Sequence, residues 1–228
     1  MPNHDNTDGP QIHQLRLIAV TLTMIGGFID AYTFVQRGGA LAAGQTGNLI
    51  FLSVDVAKHN LPGVFTKFIT VIFFSIGVLT VTIFKHRHKT HYWRIPSLAI
   101  EFLVCLIVGF LPTSVANFFI VPPLALAMAM QTTAFSKIEG RAYNNVFSTG
   151  NLKKAMIAIG EYHYHHDQQQ LTTALIFFEL VGGFAGGAVI SALLQRFWGP
   201  HTIWGACIAL IVIAGYYARA VHRKVIRS

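Results

Sequence analysis

Six apolar runs, each close to the roughly 20 residues a helix needs to cross a bilayer, set the class of this chain before any motif is weighed. They are Leu15–Phe34, Phe65–Phe84, Ile95–Leu111, Phe118–Phe135, Leu171–Phe197 and Ile203–Ala220. The third and fourth are short for a span, and the fifth is long enough to tilt. Hydrophobic residues make up 53% of the chain and charged residues only 11%, where a soluble domain carries about 25% charge. Mean hydropathy is +0.52. The expectation is an all-α integral membrane protein of six transmembrane helices in a lipid bilayer. Small residues in "GGALAAG" (38–44) resemble a signal-peptide cleavage site. The run before them exceeds a signal core of about 7–15 residues, so it is read as a true first span.

Charge placement gives the orientation. With six spans and a cytoplasmic N-terminus, all but four of the 17 Lys and Arg fall in inner connections; the four are Arg37, Lys58, Lys67 and Arg196. Both termini then face the cytoplasm by the positive-inside rule. The net charge of +8 is thereby a topology signal, and no nucleic-acid partner is needed to explain it. Residues 1–14 are polar and read as a disordered tail. Residues 221–228 form a basic cytoplasmic tail that attracts anionic lipid headgroups.

The tetrapeptide Thr-Gly-Asn-Leu occurs twice, at Thr46–Leu49 and Thr149–Leu152. Aligning 26–52 with 127–155 sets Asp30 opposite Gln131 and Phe34 opposite Phe135, with two extra residues in the second copy. Each copy is followed by a span carrying Phe-Phe and then glycine, and by one more span. The chain thus divides into two three-span repeats, 15–115 and 116–220. An odd number of spans per half inverts one half relative to the other, the 3+3 inverted-repeat plan of many secondary transporters. The segment from Thr46 to His59 would make only about 21 Å of helix, too short to cross a core about 30 Å thick. Both Thr-Gly-Asn segments are read as short re-entrant half-helices, with Thr or Asn capping the N-terminus and glycine allowing close approach. Their free amides would offer an anion or carboxylate site near the midplane. The plainer reading is a tight turn with a cap.

The stretch "GGFIDAYTF", followed by "TGNLIFL" and later by a second "TGNL", resembles the YoaK-like bacterial membrane proteins of unknown function. The resemblance runs from about residue 15 to 218. It implies a six-span fold and a bacterial inner-membrane location and supplies no substrate. The many histidines depart from the usual pattern.

Ionisable groups inside spans are costly and are functional by default. Asp30 in the first span is the leading candidate for carrying a proton; bracing the broken backbone is its alternative role. Glu179 and Glu101 are further proton-coupling candidates, although Glu101 can also reach back to the basic inner loop. Asp55 is assigned a structural pairing with Lys58 or Lys67. The paired GxxxG spacings Gly182/Gly186 and Gly183/Gly187 serve packing, within the bundle or across a homodimer. Cys105 and Cys207 lie in apolar spans at no metal or redox spacing, and no disulfide is expected. Histidines cluster at 85–94 and 161–170, but the spacing of Glu161, His163, His165, His166 and Asp167 does not put ligands on one helix face. No metal, no cofactor and no enzyme signature is expected.

Three functional readings follow: a small secondary transporter or exporter of an organic or anionic solute, a passive channel, and a non-transporting scaffold. In the first, Asp30, Thr46, Gly47, Asn48, Gln131, Thr149, Gly150 and Asn151 bind the solute, and Asp30, Glu179 or Glu101 couples it to protons.

Overall fold

In a bilayer an apolar run has no water to satisfy its backbone, so it satisfies itself as a helix. The computed structural model describes residues 12–87 and 91–227. Each apolar run is one helix: α1 (Arg16–Gln36), α3 (Leu61–Arg87), α4 (Ile95–Phe110), α5 (Asn117–Ala134), α7 (Gln168–Trp198) and α8 (Trp204–Arg227). The two Thr-Gly-Asn segments open α2 (Gln45–Ala57) and α6 (Ser148–His165). Four helical stretches are long and apolar enough to cross a membrane: Arg16–Gln36, Leu61–Arg87, Tyr92–Phe110 and Gln168–Arg223, the last running through α7 and α8. Helix α5 has 18 residues, about 27 Å, with Pro122 and Pro123 inside it. Leu103, Ile107, Val189, Leu193, Ile208 and Ile211 point outward and are exposed, as lipid contact requires.

Three expectations change. The chain is not purely helical: β1 (Lys137–Ile138) pairs antiparallel with β2 (Arg141–Ala142). Its two-residue turn, Glu139 and Gly140, has φ of 45° and 80°, the left-handed pair a tight hairpin needs. The N-terminal tail ends before residue 14: Ile12–Gln14 form a 3₁₀ turn docked on that hairpin by Glu139 N to Gln14 O (2.9 Å) and Gly140 N to Gln14 Oε1 (2.7 Å). The rest of the expected tail lies outside the described residues, as do residues 88–90 of the first histidine cluster. The basic segment expected to be a tail from 221 continues α8 to Arg227.

The two halves interleave. α1 packs along α7 and α3 along α5; α2 lies on α3 and α6 on α7. α4 rests against α5 and α8, and α8 also against α1. The shared core is built from Ile18, Leu22, Ile25 and Ile29 of α1 together with Leu124 and Met128 of α5, all fully buried. Backbones approach closely where glycine leaves room. Gly187 of α7 lies against the Met24 carbonyl, Gly27 of α1 against the Phe184 carbonyl, and Gly77 of α3 against the Leu126 carbonyl. Of the two GxxxG pairs, Gly183/Gly187 packs on α1, whereas Gly182 and Gly186 face open space.

Candidate functional site

The chain between α1 and α2 is irregular yet buried: Ala40, Ala42 and Ala43 are fully enclosed. A buried loop must find partners for its peptide groups, and here neighbouring side chains provide them. Asp30 Oδ1 accepts from Ala43 N (2.8 Å), and Thr33 Oγ1 accepts from Ala42 N (3.2 Å). Asn48 closes the loop with two bonds, accepting from Leu41 N at Oδ1 (2.8 Å) and donating from Nδ2 to Leu41 O (2.6 Å). Gly38 and Gly39, at φ of 73° and 70°, make the turn out of α1. Asp30 thus braces the broken backbone. It also lines a groove of about 480 Å³ with Gly27, Phe34, Leu41 and Phe184.

The second motif repeats the latch. Asn151 Oδ1 accepts from Asn144 N (3.3 Å), and its Nδ2 donates to Asn144 O (2.6 Å). Each asparagine is the fourth residue of its helix, and each clamps the residue seven positions earlier. The capping role expected of Thr-Gly-Asn is therefore corrected. Gly44 and Phe147 hold the N-cap positions without side-chain bonds, and the asparagine acts one turn in, on the loop. Thr46, Thr149 and Gly150 are exposed and do not line the groove beside Asp30. Gly47 packs against Leu41. Gln131, opposite Asp30 in the alignment, does not brace its own loop. It donates to Leu22 O of α1 (3.2 Å), while Asn144 Oδ1 accepts from Val146 N and Phe147 N. The second segment is longer than the first, since α6 spans 18 residues against 13 in α2.

Replacing Asn48 or Asn151 with alanine removes both latch bonds and strands peptide groups. Each change is expected to cost about 2 kcal/mol or more, with similar drops in thermal midpoint for the detergent-solubilised protein. A loss confined to one of the two would show that the latches are not equivalent.

The carboxylates separate into three environments. Glu179, a proton-coupling candidate, is exposed and ion-paired with Arg16 (3.1 Å), which also meets Glu139 (3.3 Å). Asp55 pairs with Lys67 (2.6 Å) and accepts from Asn60 (2.9 Å), deciding between the two lysines considered. Glu101 is fully buried, and neither carboxyl oxygen has a hydrogen-bond partner among the described residues. Among the described residues it does not bond to the basic segment between α3 and α4. It lies at the α4–α8 contact with Cys105 and Cys207 as ionisable neighbours. Both cysteines are buried free thiols. Among the described residues no three side chains form a metal-ligating cluster.

Sequence reasoning missed Arg37, which it placed in an outer loop. Arg37 is fully buried and donates to Leu111 O (3.0 Å), Pro112 O (3.2 Å) and Tyr32 Oη (3.2 Å), tying the end of α1 to the end of α4. Its position just past a helix end was the one available signal.

A family model described as "Protein of unknown function (DUF1275)" matches residues 18–216, nearly the whole described chain. The chain belongs to the DUF1275 family. It is 23% identical over 137 residues to the UPF0700 transmembrane protein YoaK of Bacillus subtilis (strain 168). That alignment covers 58% of this chain and 61% of the relative, less than two thirds of the relative's length. No solved structure matches. The YoaK-like resemblance is thereby shown, and this DUF1275 member is a multi-pass membrane protein.

Proposed function

We propose that this DUF1275 protein is a small proton-coupled secondary transporter of an organic or anionic solute, built as a 3+3 inverted repeat in a bacterial inner membrane. The observation that carries the reading is the duplicated latch, Asn48 on Leu41 and Asn151 on Asn144, at one spacing in both halves. The packing supports it: α1 on α7 is answered by α5 on α3, α2 on α3 by α6 on α7, and α4 on α5 by α8 on α1. Inverted repeats of this kind place a solute between halves that rock about a fixed site. In this reading α2 and α6 enter from opposite faces, six helices span, and both termini are cytoplasmic. Burial of Arg37 and Lys67 leaves Lys58 and Arg196 as the exposed outer cations and sharpens the charge asymmetry.

The solute sits beside Asp30 and the latched loops, and Glu101 carries the proton. Glu101 can exchange a proton only when water reaches it, which requires the α4–α8 contact to open. Proton exchange is thereby tied to movement of one half against the other. The test is solute-driven alkalinisation or acidification of pyranine-loaded proteoliposomes, screened over carboxylates, phosphates and neutral metabolites. Wild-type protein is expected to move protons with at least one solute class, and Glu101→Gln to move none. A Glu101→Gln protein with wild-type proton flux ends the coupling assignment, and no flux with any solute leaves the scaffold reading in its place.

A further inference from the structure

At the end of the bundle where α1 stops and α3 begins lies a cavity of about 600 Å³, lined by Arg37, Asn60, Thr66, Lys67 and Asn117 among others. Three features suit it to an anion. First, the guanidinium of Arg37 is fully buried with no carboxylate within ion-pair distance among the described residues. Its partners are two main-chain carbonyls and a phenol, and Nε has none. A buried charge without a counter-ion is costly. Second, the nearby Lys67 ammonium spends one of its three protons on Asp55, which cancels its charge but leaves donors. Third, the first turns of both α3 and α5 open onto the cavity: Leu61, Pro62 and Gly63 from one, Asn117 and Phe118 from the other. Helix N-termini carry positive potential. That of α3 is already answered, with Gly63 N donating to Asn60 Oδ1 (3.3 Å) and Asp55 beside Gly63, whereas α5 starts without a side-chain cap. The Asn117 amide lies against Gly38 and makes no side-chain hydrogen bond among the described residues, so its donors remain available.

We propose that this cavity binds an oxyanion, a carboxylate or phosphate group, as the missing counter-charge to Arg37, with Lys67 and Asn117 donating to its oxygens. The site is separate from the Asp30 groove and does not depend on transport, so binding here is measured without flux. Its anion comes from a free solute or from a lipid headgroup.

The experiment follows thermal midpoint and calorimetric binding of the purified, delipidated full chain. Inorganic phosphate and succinate are titrated against sodium chloride at matched ionic strength, which removes the screening contribution. In parallel, nanodiscs of phosphatidylglycerol are compared with nanodiscs of phosphatidylcholine. Phosphate or succinate stabilisation identifies a free-solute site, and stabilisation by phosphatidylglycerol alone identifies a headgroup site; either supports the proposal if it depends on this cavity. Dependence is read from Asn117→Leu, which fills the cavity while leaving every Arg37 bond in place, and from Arg37→Gln. Removal of one charge-assisted hydrogen bond is expected to weaken binding about tenfold or more. Should Arg37→Gln fail to fold, Asn117→Leu alone decides. Equal effects of phosphate and chloride, together with indifference to lipid charge, overturn the proposal. Unchanged binding in Asn117→Leu does the same.

Discussion

Gly187→Leu is expected to break the pairing of α1 with α7 and to leave little folded protein. A Cβ at Gly187 would run into the Met24 carbonyl, and one at Gly27 into the Phe184 carbonyl. In both cases the obstacle is helix backbone rather than the tip of a flexible side chain. Relief therefore requires the two helix axes to separate, which opens the core around Ile18, Leu22 and Ile25. Overpacking usually costs about 1–3 kcal/mol where side chains can adjust, and more where they cannot. The cost here is at or above the top of that range. Gly186→Leu is the internal control: nothing lies within 4 Å of its Cβ position, so its effect should stay within about 0.5 kcal/mol. Thermal unfolding in detergent, followed by tryptophan fluorescence, reads both. A Gly187→Leu protein that melts with the wild type would show that the helices do not cross at this point.

Glu101→Leu is expected to act in the opposite direction on stability. The wild-type carboxyl is enclosed at the α4–α8 contact, with both oxygens unpartnered among the described residues. Its neighbours there include Cys207, whose thiol lies 3.8 Å from Phe102 O. A buried polar group left unpartnered costs about 1–3 kcal/mol, so an apolar replacement of similar volume is expected to stabilise by a similar amount. The thermal midpoint should therefore rise while solute-linked proton flux disappears. A group retained against stability is what a functional site predicts. A lower midpoint would mean that Glu101 has a stabilising partner and is a structural residue.

The sequence reveals the helices well because apolar run length is a one-dimensional property. All six runs are helices, with ends shifted by a few residues. It reveals the tertiary partners poorly, because those are set by residues far away in the chain. Arg16 meets Glu179 across 163 positions, and nothing local to Glu179 shows that its charge is answered. Arg37 reads as a loop cation until the end of α4, more than 70 residues on, is brought against it. The Thr-Gly-Asn motif is legible as a repeat, but its working residue is not. A helix cap and a latch on the preceding loop use the same asparagine amide and differ only in which way the chain arrives. Asp30 stands between these cases: the bracing role follows from a buried irregular loop that needs an acceptor for Ala43, and that loop was visible in "GGALAAG".

The inversion of the two halves is tested most directly by sidedness. In a Cys105→Ala, Cys207→Ala background, single cysteines are placed just past the two latched helices, as Lys58→Cys after α2 and His166→Cys after α6; both positions are exposed. A membrane-impermeant maleimide applied to cells whose inner membrane is accessible only from outside should label Lys58→Cys at once. It should label His166→Cys only after the membrane is permeabilised. Labelling of both positions from the same side would contradict the inverted repeat and, with it, the transport mechanism built on it.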